Sequence, residues 1–454
     1  MPIQSVNPSN NQVIQVFEPH SEDYVQAAIE RADLQFSTWK NVPFADKASR
    51  FNKLADVLEE RKEALAEIMT LEMGKLTAEG IAEVEKCALV CRYYADNAEK
   101  FLKDEILKSD HSKAFISYYP LGTILAVMPW NFPLWQVFRF AAPTLMAGNV
   151  GLLKHASNVQ MCAQAIEDAF IEAGFPNGAF QNLRIDSSKV EAIINDDRIK
   201  AVTLTGSEGA GSAVASAAGS KIKKSVLELG GSDPFIVLDN ADMDLTVRAA
   251  VKARMRNCGQ SCIAAKRFIV VERVYDEFAD KFKSFLQAMR LGDPSDKMTS
   301  CGPMASEALA NELLKQVEES VAKGAKLLLG GKRPDREGAY FEPTILADLK
   351  PGMPAYEDEL FGPVASLFKV KNEEEAIALA NGSKFGLGAS IWTKDLERGE
   401  MMARKIESGA VFVNHMVSSD PRLPFGGIKT SGYGRELSHL GIREFMNTKT
   451  IAID

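Results

Sequence analysis

From residue 123 onward the chain repeats one rhythm, in which short β-branched or apolar runs are separated by turns and stretches of helical spacing. The runs fall at 150–153, 201–205, 225–229, 235–238 and 268–271, with helical character at 159–173 and 244–257 between them. Strands buried on both faces read as continuous apolar runs, and parallel neighbours need a crossover helix, so the alternation predicts doubly wound α/β sheets. The rhythm returns with a helix at 275–289, a strand at 326–329, a helix at 373–380 and a strand at 410–414. A chain of 454 residues is also too long for one core, since cores stop growing at roughly 250–300 residues. We therefore expect an α/β protein of two doubly wound, parallel-sheet lobes.

The first hundred residues read as helices. Ser21 is a candidate N-cap, Ala27, Ile29 and Ala32 share one side, and 54–73 continues with helical spacing. Two β-rich runs, 114–119 and 123–128, flank Pro120 and Gly122, and Pro129 ends the second. Residues 448–453 also read as a strand. No short repeat or low-complexity linker divides the chain.

Bulk properties exclude several classes of function. The net charge is −8, without a Lys/Arg block, so nucleic acid is not an expected partner. Residues 1–12 are polar and no apolar run reaches membrane-spanning length, so a membrane is not expected and the cytoplasm is the expected location. Six cysteines and five histidines are scattered, with no paired C-x-x-C pattern, so neither a disulfide scaffold nor a metal is expected.

Three segments could carry chemistry. In Asn257-Cys258-Gly259-Gln260-Ser261-Cys262, a glycine lets the backbone bend and present the Cys262 thiol to a cleft; a small buried Cys is the alternative. In Leu227-Glu228-Leu229-Gly230-Gly231, an apolar setting would raise the Glu228 pKa and suit a general base, or Glu228 is ion-paired at a sheet edge. In Met128-Pro129-Trp130-Asn131-Phe132-Pro133, Asn131 could donate to a developing oxyanion or cap the next helix.

Together these segments resemble the aldehyde dehydrogenase superfamily. The resemblance rests on Pro129 to Pro133, Glu228 to Gly231 and Gly259 to Cys262, with Glu359-Leu360-Phe361-Gly362-Pro363, Pro424-Phe425-Gly426-Gly427-Ile428-Lys429, Ser431-Gly432 and Gly434-Arg435-Glu436. These occur in the family's order and spacing across nearly the whole chain. The resemblance implies that Cys262 is the nucleophile, Asn131 and the Cys262 N–H the oxyanion hole, and Glu228 the base that activates water. It implies a Rossmann-like cofactor domain over 1–228, with 112–128 serving oligomerisation, a catalytic domain over 229–420, and a return segment with an oligomerisation strand over 421–454.

NAD or NADP is the implied cofactor. Gly206-Ser207-Glu208-Gly209-Ala210-Gly211 does not match G-x-G-x-x-G but is similar to the family's own turn, in which backbone and Ser207 approach the pyrophosphate at a helix N-terminus. Lys154 matches the family's adenosine-ribose lysine, Glu359 and Phe361 match the residues that hold the nicotinamide ribose and ring, and Trp130 and Leu229 line the same groove. Many NAD-preferring members carry Glu three residues after that lysine; here Ser157 leaves room and positive charge for a 2′-phosphate, so NADP should be accepted.

Arg139 and Arg256 point to the substrate. In succinate semialdehyde dehydrogenases, which the chain resembles at these places, both are Arg and clamp the distal carboxylate, as planar guanidinium forks can. Ser418 and Ser419 resemble the loop that adds a hydroxyl to the same carboxylate. A broader enzyme for other ω-carboxylated or medium-chain aldehydes is the alternative. A non-catalytic relative would have lost Cys262 or Glu228, and a coenzyme A-acylating one would not need Glu228. Cys258 is read as a packing residue, with a disulfide to Cys262 as the minor alternative. In the family that the chain resembles, strands such as those at 114–128 and 448–453 pair across subunits, so the resemblance implies a homodimer or homotetramer.

Overall fold

The computed structural model describes residues 3–454. Its first large sheet has six strands in the order Gly432–Tyr433, Lys224–Glu228, Ile199–Thr205, Thr123–Met128, Val150–His155, Phe180–Asn182. All pair in parallel except Gly432–Tyr433, which lies antiparallel to Lys224–Glu228. From Thr123–Met128 the chain winds outward to Phe180–Asn182, then returns to the opposite side for Ile199–Thr205 and Lys224–Glu228. The winding direction therefore reverses between Thr123–Met128 and Ile199–Thr205. Their outgoing loops diverge at the carboxyl ends and leave a crevice there, the usual ligand position in such sheets.

The second sheet has seven strands in the order Lys326–Leu329, Thr344–Ala347, Val364–Val370, Ala265–Val271, Asp233–Val237, Gly388–Trp392, Ala410–Val413. Only the edge strand Lys326–Leu329 is antiparallel. The two doubly wound lobes anticipated from the apolar runs are thus present. Asp233–Val237 is buried along its whole length, as a strand covered on both faces must be. A third sheet, Glu105–Leu107, Lys113–Pro120 and Met446–Ile453, is antiparallel, and Met446–Ile453 pairs with Lys113–Pro120 along its full length.

Several expectations for the first hundred residues are corrected. An antiparallel hairpin, Ile3–Asn7 with Gln12–Phe17, precedes the helices. Its inward positions mix Ile3 and Phe17 with Ser5, whose hydroxyl donates to the buried Glu72, so polar and apolar do not alternate cleanly. Ser21 does cap the helix Glu22–Trp39, by accepting from the Tyr24 N–H, but the buried face is Ala28, Ile29 and Ala32, with Ala27 only half-buried. The helical span 54–73 is broken at Arg61, between Phe44–Glu60 and Lys62–Met73.

Candidate active site

Helix Met243–Met255 ends short of the sequence expectation because the next residues turn left-handed. Asn257 (φ 53°, ψ 41°), Cys258 (φ 53°, ψ 35°) and Gly259 (φ 73°) follow one another in that conformation. It costs roughly 1–2 kcal/mol per residue for side-chain-bearing L-residues, so it must be held from outside. The Asn257 N–H donates to both Glu79 oxygens at 3.1 Å, and Asn257 Nδ2 donates to the Asn131 carbonyl at 2.7 Å. Arg254 Nη2 donates to the Gly259 carbonyl at 2.6 Å, and the Ala305 N–H to Gln260 Oε1 at 2.8 Å. Only glycine fits at 259, because a Cβ there would collide with the Gly362 carbonyl. The turn delivers Cys262, half-buried, to the wall of a cavity of about 350 Å³.

Burial pushes the Cys262 thiol up to about 12, against the pull of Lys266 and Arg139. The thiol therefore rests protonated and needs a proton acceptor to become a nucleophile. Asn131 is 4% exposed, and its Nδ2 donates to the Gln260 carbonyl at 3.1 Å, two residues before Cys262. Asn131 does not cap the next helix. The N-terminus of Trp135–Met146 is met by Glu83, which accepts from the Leu134 and Trp135 N–H groups at 2.9 Å. Glu83 also ion-pairs with Lys75, and Lys75 donates to the Asn131 carbonyl at 3.0 Å, so the Asn131 turn is braced from below.

Glu228 ends strand Lys224–Glu228 and is 2% exposed, with neither carboxylate oxygen hydrogen-bonded. It is not at a sheet edge, since Ile199–Thr205 lies on one side and Gly432–Tyr433 on the other. Burial drives its pKa well above the carboxylate range; Arg139 draws it back and Glu436 adds to the rise. Arg139 itself, 1% exposed, pairs through Nε with Glu436, and its Nη2 donates to Thr205 Oγ1 at 3.2 Å. One guanidinium thus acts on the thiol, the unpartnered carboxylate and a paired one.

The crevice at the sheet's reversal point is open where a dinucleotide would need it. Ser207 caps helix Glu208–Ser220, accepting from the Ala210 N–H at 3.4 Å, and a Cβ at Gly209 would meet nothing within 4 Å. Gly211 is different: a Cβ there would lie 2.6 Å from Leu229, so this glycine packs helix against loop. Such an accessible helix start carries a partial positive charge and free N–H donors, which fit a pyrophosphate. Lys154 stands at the end of Val150–His155 with its pKa lowered by burial, and Ser157 is exposed just beyond. Across the groove, Lys266 holds Glu359 at 2.8 Å, the Gly231 N–H reaches Glu359 at 3.2 Å, and the Trp130 and Phe361 rings meet edge-on at 5.8 Å. Glu208 ion-pairs with Lys384 at 3.0 Å.

Arg139, Arg256, Ser419 and Cys262 line one cavity. Ser418 does not; it lines a neighbouring cavity of about 360 Å³ that Ser419 also borders. The sequence reading missed Lys86, which lines the Cys262 cavity from helix Thr77–Phe101. No motif marks it: a lysine on a helix carries no local sign of the wall it faces. Cys258 does not approach Cys262 as its thiol neighbour; its Sγ lies 3.4 Å from that of Cys301.

A family model described as the aldehyde dehydrogenase family matches residues 1–451. The chain is 55% identical over 453 residues to a probable NADP(+) succinate-semialdehyde dehydrogenase of Synechocystis sp., covering 100% of both chains. It is 52% identical over 456 residues to an NADP(+) succinate-semialdehyde dehydrogenase of Mycobacterium bovis, again covering 100% of both. The crystal structure of the Streptococcus pyogenes succinic semialdehyde dehydrogenase in complex with NADP+ superposes with a TM-score of 0.98, at 40% identity over 99% of each chain.

Proposed function

The chain belongs to the aldehyde dehydrogenase family, and on that premise we propose that it oxidises succinate semialdehyde to succinate with NAD or NADP. The observation that carries the choice of aldehyde is that two guanidiniums, Arg139 and Arg256, and the Ser419 hydroxyl line the same cavity as the Cys262 thiol. Arg139 already has Glu436, but Arg256 is largely desolvated with no salt bridge among the described residues, which is costly without an anion, and a dicarboxylic half-aldehyde brings one at a fixed distance from its carbonyl. The related enzymes of Synechocystis and Mycobacterium bovis, named for succinate semialdehyde and NADP(+), support the same reading.

The roles follow from the placement. Arg256 and the part of Arg139 not engaged by Glu436 and Thr205 hold the distal carboxylate, with Ser419 beside them. Cys262 gives up its proton to solvent in the cavity and adds as the thiolate to the aldehyde carbon, and Asn131 Nδ2 with the Cys262 N–H receives the oxyanion. A bound nicotinamide supplies the hydride acceptor. Glu228 takes a proton from the water that cleaves the thioester; its burial without a partner keeps its basicity high.

For the cofactor, the residues 1–228 lobe presents the α-helix start at Ser207–Glu208, with Gly206 and Gly211 shaping the loop, to the pyrophosphate. Lys154 and Ser157 take the adenosine ribose or its 2′-phosphate, and Glu359 with Phe361 the nicotinamide side, where Trp130 and Leu229 close the groove. The 229–420 lobe carries the nucleophile. We assign a homodimer or homotetramer joined through Lys113–Pro120 and Met446–Ile453, and a cytoplasmic location. No helix among the described residues is long and apolar enough to cross a membrane.

Initial rates with succinate semialdehyde, glutarate semialdehyde and butanal, each with both cofactors, test the reading. Succinate semialdehyde should have the highest kcat/KM. Arg256→Leu should lower it about 10- to 100-fold, the equivalent of one charge-assisted contact, and leave butanal little changed. Equal losses for both aldehydes would return Arg256 to a structural role and leave the aldehyde unassigned.

A further inference from the structure

The Cys262 cavity contains a cation not yet given a task. Lys86 Nζ donates to Ser419 Oγ at 2.5 Å and stands 4.0 Å from the centroid of the Trp135 ring. An ammonium has three N–H donors and no acceptor. One reaches Ser419, and the Trp135 face accepts positive charge without supplying a counter-ion.

The carboxylates around Lys86 are otherwise engaged. Glu83 takes Lys75 and two backbone N–H groups, Glu79 takes the Asn257 N–H, and Asp420 takes Arg422 at 2.6 Å. No salt bridge to Lys86 forms among the described residues. A largely desolvated ammonium beside Arg139 and Arg256, with no anion of its own, is the less stable half of an ion pair.

We propose that Lys86 is a specificity-determining residue that contacts the distal carboxylate of the aldehyde directly, alongside Arg256, and aims the Ser419 hydroxyl at the same carboxylate. The inference rests on the substrate reading above. Because Ser419 Oγ accepts from Lys86, its own hydrogen is left to be donated to the ligand. Arg139 cannot offer a full fork, since Nε faces Glu436 and Nη2 faces Thr205. Lys86 thus supplies the donor that Arg139 withholds.

This predicts a signature in pH. Burial, then Arg256 and Arg139, push Lys86 down to about 7, while Cys87 and Glu83 draw it back. The other ionisable groups facing it are Glu79 on the same helix, Lys252 from the preceding wall, Cys262, and Asp420 beside Ser419. Below about 7 Lys86 is an ammonium and attracts the carboxylate; above it the attraction fades. Ionisation of Cys262 and Glu228 alters turnover of every aldehyde alike and cancels in a ratio of substrates.

The test is the ratio of kcat/KM for succinate semialdehyde to that for butanal, with saturating NADP, followed through the pH at which Lys86 loses its proton. In the unaltered enzyme the ratio should fall as pH rises through about 7. Lys86→Met should lower it about 10- to 100-fold at low pH and remove its slope, as loss of one charged contact would. Lys86→Arg should keep the ratio high and flat, because a guanidinium does not titrate there. If Lys86→Met reduced both aldehydes equally, or kept the ratio and its slope, Lys86 would be a packing residue. If Arg256→Leu abolished the preference while Lys86→Met did not, the role of Lys86 alone would fall. An unaltered enzyme with no preference for succinate semialdehyde would overturn the substrate reading and this inference with it.

Discussion

The left-handed turn before Cys262 makes Gly259→Ala a sharp test of how the nucleophile is held. An alanine at φ 73° costs roughly 1–2 kcal/mol in backbone conformation. Its Cβ would also press on the Gly362 carbonyl and on Arg254 Nη2 at 2.8 Å, and overpacking of this kind costs about 1–3 kcal/mol. The expected loss of stability is therefore about 2–5 kcal/mol. If the loop gives way instead, Cys262 shifts, and about 1 Å of misplacement lowers turnover roughly 100-fold. Gly352→Ala is the control: φ there is 87°, yet nothing lies within 4 Å, so it should show the backbone cost alone and keep full activity. Urea unfolding followed by tryptophan fluorescence, with the burst of reduced cofactor, reads both effects. A Gly259→Ala enzyme with an unchanged midpoint and burst, matching or exceeding Gly352→Ala, would refute the claim that Gly362 and Arg254 clamp this turn.

Cys262→Ala should abolish dehydrogenase turnover while retaining cofactor affinity in fluorescence titration; residual activity above a few per cent of the original would contradict the assignment. Glu228→Gln should give one burst of reduced cofactor and then stall at the thioester, with steady turnover down about 100- to 10,000-fold. The same variant has a stability signature. The folded pKa of Glu228 is raised, so rising pH penalises the native state from the unfolded carboxyl value of about 4.3 upward. Glu228→Gln should therefore gain in melting temperature relative to the unaltered protein as pH rises, and a constant difference would mean that the fold does not raise the Glu228 pKa. Ser157→Glu should raise KM for NADP far more than for NAD, because it sets a carboxylate where the 2′-phosphate would sit; equal changes would show that Ser157 does not face the ribose.

Much of the fold was legible because buried parallel strands write themselves as apolar runs. Thr123–Met128 and Lys326–Leu329 lie where the residue pattern puts them, and Val150–His155 and Ile199–Thr205 differ only at their ends. The N-terminal hairpin escaped because its inward Ser5 answers to Glu72, a partner distant in sequence. The site divides in the same way. Cys262, Asn131 and the arginines stand in recognisable local segments, but the left-handed Asn257–Gly259 turn is created by Glu79, Arg254 and Gly362 acting together. Arg139 and Arg256 look alike in sequence; only the fold shows that one already faces Glu436. Lys86 and Ser419 stand 333 residues apart in the chain, and no local pattern encodes the hydrogen bond between them.

The antiparallel strand Gly432–Tyr433 sits against Lys224–Glu228, and Glu436 just beyond it pairs with Arg139. Roughly 200 residues must emerge from the ribosome between the strand that bears Glu228 and the segment that flanks it, about 10 to 40 s at ordinary rates of synthesis. Throughout that interval the nascent first lobe exposes an unpaired strand and an unmatched guanidinium at the future reaction centre. A message truncated before codon 432 would leave that border open and would also remove Met446–Ile453, so Lys113–Pro120 would lose its partner strand as well.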